Sequence, residues 1–426
     1  MHHLAFPDGL SREGLLQWYR SARARSRALF DILDADAWYE RPIPLRNPIA
    51  FYEGHLPAFC LNTLVKRAHR RAGVDERLEN LFARGIDPED EASAKPPTDL
   101  WPTRAAVLAF AAECDALVED ALLTLPLEDD VVPELRGGEA VFTILEHEAM
   151  HQETLLYIFH QLDETKKRAI PAFNQSTPRD VTSVQRSSVR IPEGTVTLGL
   201  ERGAAFGWDN EFPRQQMRVR EFEIDTHNVT NGEYLKFLEA TGAKPPHFWK
   251  KGEREWYWRG MFELRSLPLD APVYVTHDEA VAYLRWKGKR LPTEAEYHRA
   301  AFGTPDGSER AHPWGDDLPD ATRGNFDFAS FDPVPAGSYP AGASAWGVHD
   351  LIGNGWEWTS SFFSGFKGFE PMPSYPEYSA DFFDDAHFVM KGASPVTARE
   401  LIRPSFRNWF RPSYPYVYAA FRGTNS

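Results

Sequence analysis

Apolar residues recur every three or four positions through roughly the first 165 residues of this chain, and after that the rhythm is lost. Segments near 11–33, 47–71, 103–124 and 139–165 carry the 3.6-residue period of amphipathic helices. The stretch from Arg84 to Pro102 is acidic and proline-containing and reads as a loop. Four helices with two short connections and one long one predict a bundle. Asn47 before Pro48 reads as an N-cap followed by proline at the first helical position. Pro57 falls within the same helix, removes the hydrogen bond to the Glu53 carbonyl and predicts a kink beside His55.

Residues 171–188, rich in Ser, Thr, Asn, Gln and Pro, read as a linker. Beyond them helical periodicity returns only near 230–240 and 277–287, among short strands and long Gly/Pro/Asp/Trp-rich loops. The expected architecture is therefore α+β in two domains: a helical bundle over 1–170 and an irregular domain over 189–426. Most of the 13 tryptophans and 29 phenylalanines fall in the second domain, where they can pack long loops.

Composition narrows the function. At 426 residues the length itself suggests two domains. A formal charge of −15 argues against nucleic acid or an anionic membrane as partner. No apolar stretch approaches the length of a membrane span, and Met1 to Pro7 lacks the basic and apolar regions of a signal peptide. The two cysteines, Cys60 and Cys114, lie in helical segments and make no disulfide framework, so a cytoplasmic protein is expected.

The heptapeptide His147-Glu148-Ala149-Met150-His151-Gln152-Glu153 adds chemistry. Helical residues four apart project from one face, so His147 and His151 can grip one divalent cation from adjacent turns. Thr143, Ile144, Met150, Thr154 and Ile158 share that side. The same spacing also arises between hydrogen-bonded core histidines, so the pair needs a third ligand. His55, in the other strongly apolar helix, is the candidate. Three neutral imidazoles leave half an octahedron open for iron and oxygen chemistry, or one position on a tetrahedral zinc.

In the second half, Arg290-Leu291-Pro292-Thr293-Glu294-Ala295-Glu296, Gly353-Asn354-Gly355-Trp356-Glu357-Trp358 and Ala420-Phe421-Arg422 follow one another. These motifs in this order resemble the formylglycine-generating-enzyme fold, a C-type-lectin-like domain, over about residues 189–426. The copper-dependent formylglycine enzymes use a cysteine pair that this half lacks, which excludes that activity. The first half is similar to the DinB-like bundle. The fusion of the two resembles the ergothioneine-type sulfoxide synthases, a family that implies a non-heme Fe(II) on His55, His147 and His151 and an O2-dependent joining of sulfur to imidazole C2 of hercynine. Arg407-Asn408-Trp409 matches the family's RNW motif, so Asn408 and Trp409 would hold hercynine, with Tyr414, Tyr416 and Tyr418 nearby in sequence; Arg407 reads as structural.

Three departures from the best-known members set the expected donor. Phe410 stands where they carry an aspartate that helps hold γ-glutamylcysteine, and Met150 stands where they carry a glutamine. Their catalytic tyrosine, in a YPGF-like segment after the WEWT motif, finds no counterpart in Thr359 to Phe369, so the proton-handling residue is left unassigned. A related branch, the selenoneine synthases, joins a selenosugar to hercynine, and the aromatic faces of Phe410 and Phe366 suit a sugar ring. The expected reaction is thus carbon–selenium bond formation. The alternatives are a sulfoxide synthase using cysteine or another thiol, a zinc-dependent DinB-like thiol transferase, and a non-catalytic lectin-like binder.

Overall fold

A computed structural model describes residues 11–83, 101–171, 173 and 187–425. The chain divides into two compact units, one of residues 1–172 with 203–206 and 372–376, the other of 173–202, 207–371 and 377–426. Two short pieces of the second half thus belong with the helices, an arrangement that a single cut near residues 171–188 does not contain. Most of that expected linker, and most of the expected loop from Arg84 to Pro102, lie outside the described residues.

The helical unit is built on α1 (Arg12–Phe30), α2 (Ile49–Cys60), α3 (Glu76–Leu81), α4 (Arg104–Thr124) and α5 (Glu139–His160). Helix α2 packs against α4 and α5, and α5 packs against α1 and α2. All twelve residues of α2 are buried, which explains why its sequence is apolar nearly all round.

Two local expectations need correction. Pro48 is itself the N-cap, with an extended backbone (ψ 156°), so the helix begins at Ile49 and Asn47 does not cap it. At Pro57 the helix runs on without a break, and beyond Cys60 it widens into a π-helix over Leu61–Ala68. The wider hydrogen-bond spacing is the kind of local adjustment found near functional sites.

Among the described residues the second unit holds four small sheets. One joins β1 (Ser188–Ile191) with β4 (Phe222–Asp225) and β12 (Thr424–Asn425), and another joins β2 (Gly194–Leu198) with β3 (Gln215–Val219). A third holds β5 (Trp249–Lys251), β6 (Trp256–Arg259) and β7 (Leu264–Ser266). The central one pairs β8 (Gly355–Phe362) with β9 (Phe388–Ala393) antiparallel, and β9 with β10 (Asn408–Phe410), setting Trp409 opposite Val389. It is closed by β11 (Ala419–Ala420) beside β8. Helices α6 (Asn231–Thr241) and α7 (His277–Trp286) lie where the periodicity predicts them. A third, α8 (Glu294–Phe302), was not expected. Its signal was a capping box in which the Thr293 hydroxyl accepts from the Glu296 N–H and the Glu296 carboxylate accepts from the Thr293 N–H. Inside the unit Glu357 and Arg422 form a fully buried ion pair at 2.7 Å, tying the WEW motif to the Ala-Phe-Arg motif. No helix among the described residues is long and apolar enough to cross a membrane.

Candidate metal centre

Helices α2 and α5 bring His55, His147 and His151 together inside the helical unit, with one ligand nitrogen of each within 4.8 Å of the others. A first-row divalent ion bonding imidazoles at about 2 Å would draw such a set together. Ring centres are 4.3 Å apart for His147 and His151, and 4.9 and 5.2 Å from His55 to those two. His55 and His147 are buried, His151 half-buried.

The ligand set is neutral. Burial pushes His55 down to about 4 and holds His147 and His151 well below the ordinary histidine range. The Nδ1 atoms of His147 and His151 are buried and have no hydrogen-bond partner among the described residues. Three uncharged imidazoles in an apolar pocket are the donor set a divalent metal fits, and they bring no compensating negative charge.

Each ligand is oriented by its surroundings. His55 Nδ1 donates to the Phe82 carbonyl at 2.8 Å, which leaves Nε2 as the coordinating atom. Phe82 is the C-cap of the short helix α3, where carbonyls are not used up inside the helix. The Phe51 ring stacks on His55 at 4.9 Å and the Phe59 ring on His147 at 3.4 Å. On a neighbouring face of α5, Glu148 accepts from Arg23 at 2.9 Å and from Ser26, while Gln152 Nε2 donates to the Ala22 carbonyl at 2.8 Å. Glu148 and Gln152, each directly following one of the histidines, thus fasten α5 to α1, so the ligand face cannot turn freely.

Two tyrosines stand beside the cluster. Tyr52 of α2 is buried with its ring 5.9 Å from His151. Tyr375, half-buried, lies 6.2 Å from His147 and edge-on to Phe59 at 5.1 Å. Tyr375 was missed because it falls six residues past the segment where a tyrosine is expected; the Tyr375-Pro376 dipeptide was the available signal. Met150 is half-buried, next to His151 on α5.

The RNW motif lies in the second unit. Arg407 is buried and holds Glu294 through Nε and Nη2 at 2.9 and 3.1 Å, with Nη1 donating to the carbonyls of Asn210 and Ser364. Trp409 stacks face to face on Phe363 at 4.1 Å, with Tyr378 and Phe382 at 5.3 and 5.6 Å. Asn408 accepts from the Trp409 N–H at 2.9 Å. Phe410 stacks on Tyr414 at 5.0 Å, and Tyr416 meets Tyr414 edge-on. One expectation shifts here. Tyr418 is fully buried and stacks on Tyr274, so it is a core residue and not part of a substrate wall. Phe366 is half-buried and packs against the unit's hydrophobic core, with the Arg407 guanidinium 4.5 Å from its ring centre.

Comparison with known proteins places the two halves in known families. Residues 173–425 match the sulfatase-modifying factor enzyme 1-like domain, and residues 19–155 match the DinB superfamily. The chain is 31% identical to the hercynine oxygenase of Mycolicibacterium smegmatis, over 97% of this chain and 99% of that protein. It is 32% identical to the hercynine oxygenase of Mycolicibacterium thermoresistibile, over 94% and 92%. Identity to ergothioneine biosynthesis protein 1 of Neurospora crassa is 28%, over 92% of this chain and 55% of that longer protein.

Proposed function

Because the chain belongs to the ergothioneine-type sulfoxide synthase family of hercynine oxygenases, we propose that it is an enzyme that holds Fe(II) on His55, His147 and His151 and uses O2 to join a chalcogen to imidazole C2 of hercynine. The observation that carries this reading is the meeting of three neutral histidines from two helices, one of them fixed in tautomer by the Phe82 carbonyl. Bound iron would supply open positions for O2 and for an anionic sulfur or selenium. In the sulfur reaction the imidazole loses its C2–H and the thiol its S–H. Those two hydrogens leave as water with one oxygen of O2, and the other oxygen remains on sulfur as the sulfoxide.

The residues around the metal have separate tasks. Phe51 and Phe59 keep water from the ligand rings and hold them in place. Tyr375 is the group proposed to give and take a proton, being half-exposed beside His147 where buried Tyr52 is not. In the second unit, Trp409 with Tyr378 and Phe382 offers aromatic faces suited to the trimethylammonium of hercynine.

The names of the relatives favour sulfur, with cysteine or another thiol as donor. A second reading, in which a selenosugar is the donor, rests on one observation: Phe410 and its stacked partner Tyr414 present an uncharged aromatic wall where a carboxylate-bearing donor would need a charged partner. The test of the shared chemistry is His55→Ala. Loss of at least tenfold in Fe(II) affinity together with loss of turnover supports it. Iron binding and activity equal to wild type would refute the three-histidine site, and tight zinc with no response to iron would point to the thiol transferase.

A further inference from the structure

Glu139, Thr143, His147 and His151 are spaced four apart along α5 and therefore form one stripe, each step rising about 6 Å. The last two are the proposed metal ligands. The first two hold something else. Glu139 Oε1 accepts the Ser374 N–H at 2.8 Å, and the hydroxyls of Thr143 and Ser374 are hydrogen-bonded at 3.0 Å. Ser374 and Thr143 are both buried. From the π-helical turn after α2, Arg67 donates to the Ser374 carbonyl at 3.3 Å. Every polar group of Ser374 is thus taken up by the helical unit, although the residue comes from far along the chain.

The neighbour of Ser374 is Tyr375. With Ser374 pinned to the first two positions of the stripe, the next residue reaches the third, and Tyr375 does lie across from His147 and against Phe59. We infer that Ser374 and its partners Glu139 and Thr143 are positioning residues: they fix Tyr375 against the metal cluster by anchoring it to the helix that carries two of the ligands. This inference rests on Tyr375 being the proton-handling group of the proposed reaction. A group that must exchange a proton at one atom needs its position held closely, since misplacement by about 1 Å can cost on the order of a hundredfold in rate.

The clamp has a signature that plain structural support lacks. In full-length enzyme, Thr143→Val combined with Glu139→Ala should lower kcat roughly tenfold to a hundredfold with KM for hercynine and Fe(II) affinity little changed. Thr143→Ser, which keeps the hydroxyl, should restore most of the Thr143→Val loss. On a Tyr375→Phe background the same changes should add little, because what they position is already gone. In metal-free protein, hydrogen exchange at the Ser374 amide should be slow in the wild type and fast in Glu139→Ala. If Tyr375→Phe is slow but the clamp variants keep wild-type kcat while their Ser374 amide exchanges freely, the positioning role is overturned and the role of Tyr375 stands. If Tyr375→Phe turns over like the wild type, both fall. Losses that add fully on the Tyr375→Phe background would overturn the clamp as well.

Discussion

The Phe82 carbonyl accepts the Nδ1–H of His55 at 2.8 Å, and the two residues are brought that close by a glycine. A Cβ added at Gly54, the residue before His55, would come within 2.5 Å of the Phe82 ring. The ring can lie against α2, and its backbone can reach His55, only because no side chain stands there. This contact selects the tautomer of one proposed ligand, in the way outer partners commonly orient metal-bound histidines.

Gly54→Ala should therefore act on the metal and not only on stability. Displacing a packed ring usually costs about 1–3 kcal/mol of stability. The added expectation is a loss of roughly tenfold or more in Fe(II) affinity through the misdirected His55. Binding titrations with Fe(II), read beside thermal melts, check this. A variant that is destabilised yet binds iron as the wild type does would show that the Phe82 contact does not orient the ligand.

Hercynine should bind more tightly than histidine, because a trimethylammonium against aromatic faces is worth roughly 1–2 kcal/mol when desolvated. Trp409 stacked on Phe363, with Tyr378 and Phe382 beside it, is the surface proposed for that contact. In Trp409→Leu the preference should shrink towards unity, measured as the ratio of the two affinities. An unchanged preference would move the cation elsewhere.

Phe410→Asp bears on the donor. An ionised carboxylate placed against the Tyr414 ring would suit a donor that brings its own charged groups and would disfavour an apolar sugar face. Steady-state turnover of the variant with a selenosugar, cysteine and γ-glutamylcysteine should show the sugar losing relative to the amino-acid donors. A sugar donor unaffected by the change would remove the observation on which the selenium reading depends.

Much of the helical half could be read from sequence because its signals are local. The 3.6-residue period outlines α1, α4 and α5, and the spacing of His147 and His151 puts both on one face without knowledge of the fold. His55 needed the further step of asking which other apolar helix carried a histidine. What stayed hidden depends on contacts distant in sequence. Tyr375 lies more than 200 residues past His147, and nothing local says that Ser374 binds Glu139 and Thr143. The π-helical stretch after Cys60 and the short helix capped by Phe82 are too small to show a period. In the second unit, β11 pairs in parallel with β8 and β12 lies beside β4, both across long separations. Its helix α8 was within reach through the Thr293 and Glu296 capping box, a two-residue signal that the apolar period does not reveal. Tyr418 shows the opposite error, since nearness in sequence to Trp409 suggested a shared surface and burial assigns it to the core.

The most direct test is reconstitution of the full-length protein with Fe(II) under anaerobic conditions, followed by hercynine, O2 and each donor in turn, with products weighed by mass spectrometry. The account predicts that hercynine is consumed only when iron, O2 and a thiol or selenol are all present, giving a product that carries the donor on imidazole C2. Consumption that proceeds without iron or O2, or an iron-loaded enzyme that leaves hercynine untouched with every donor, would contradict it.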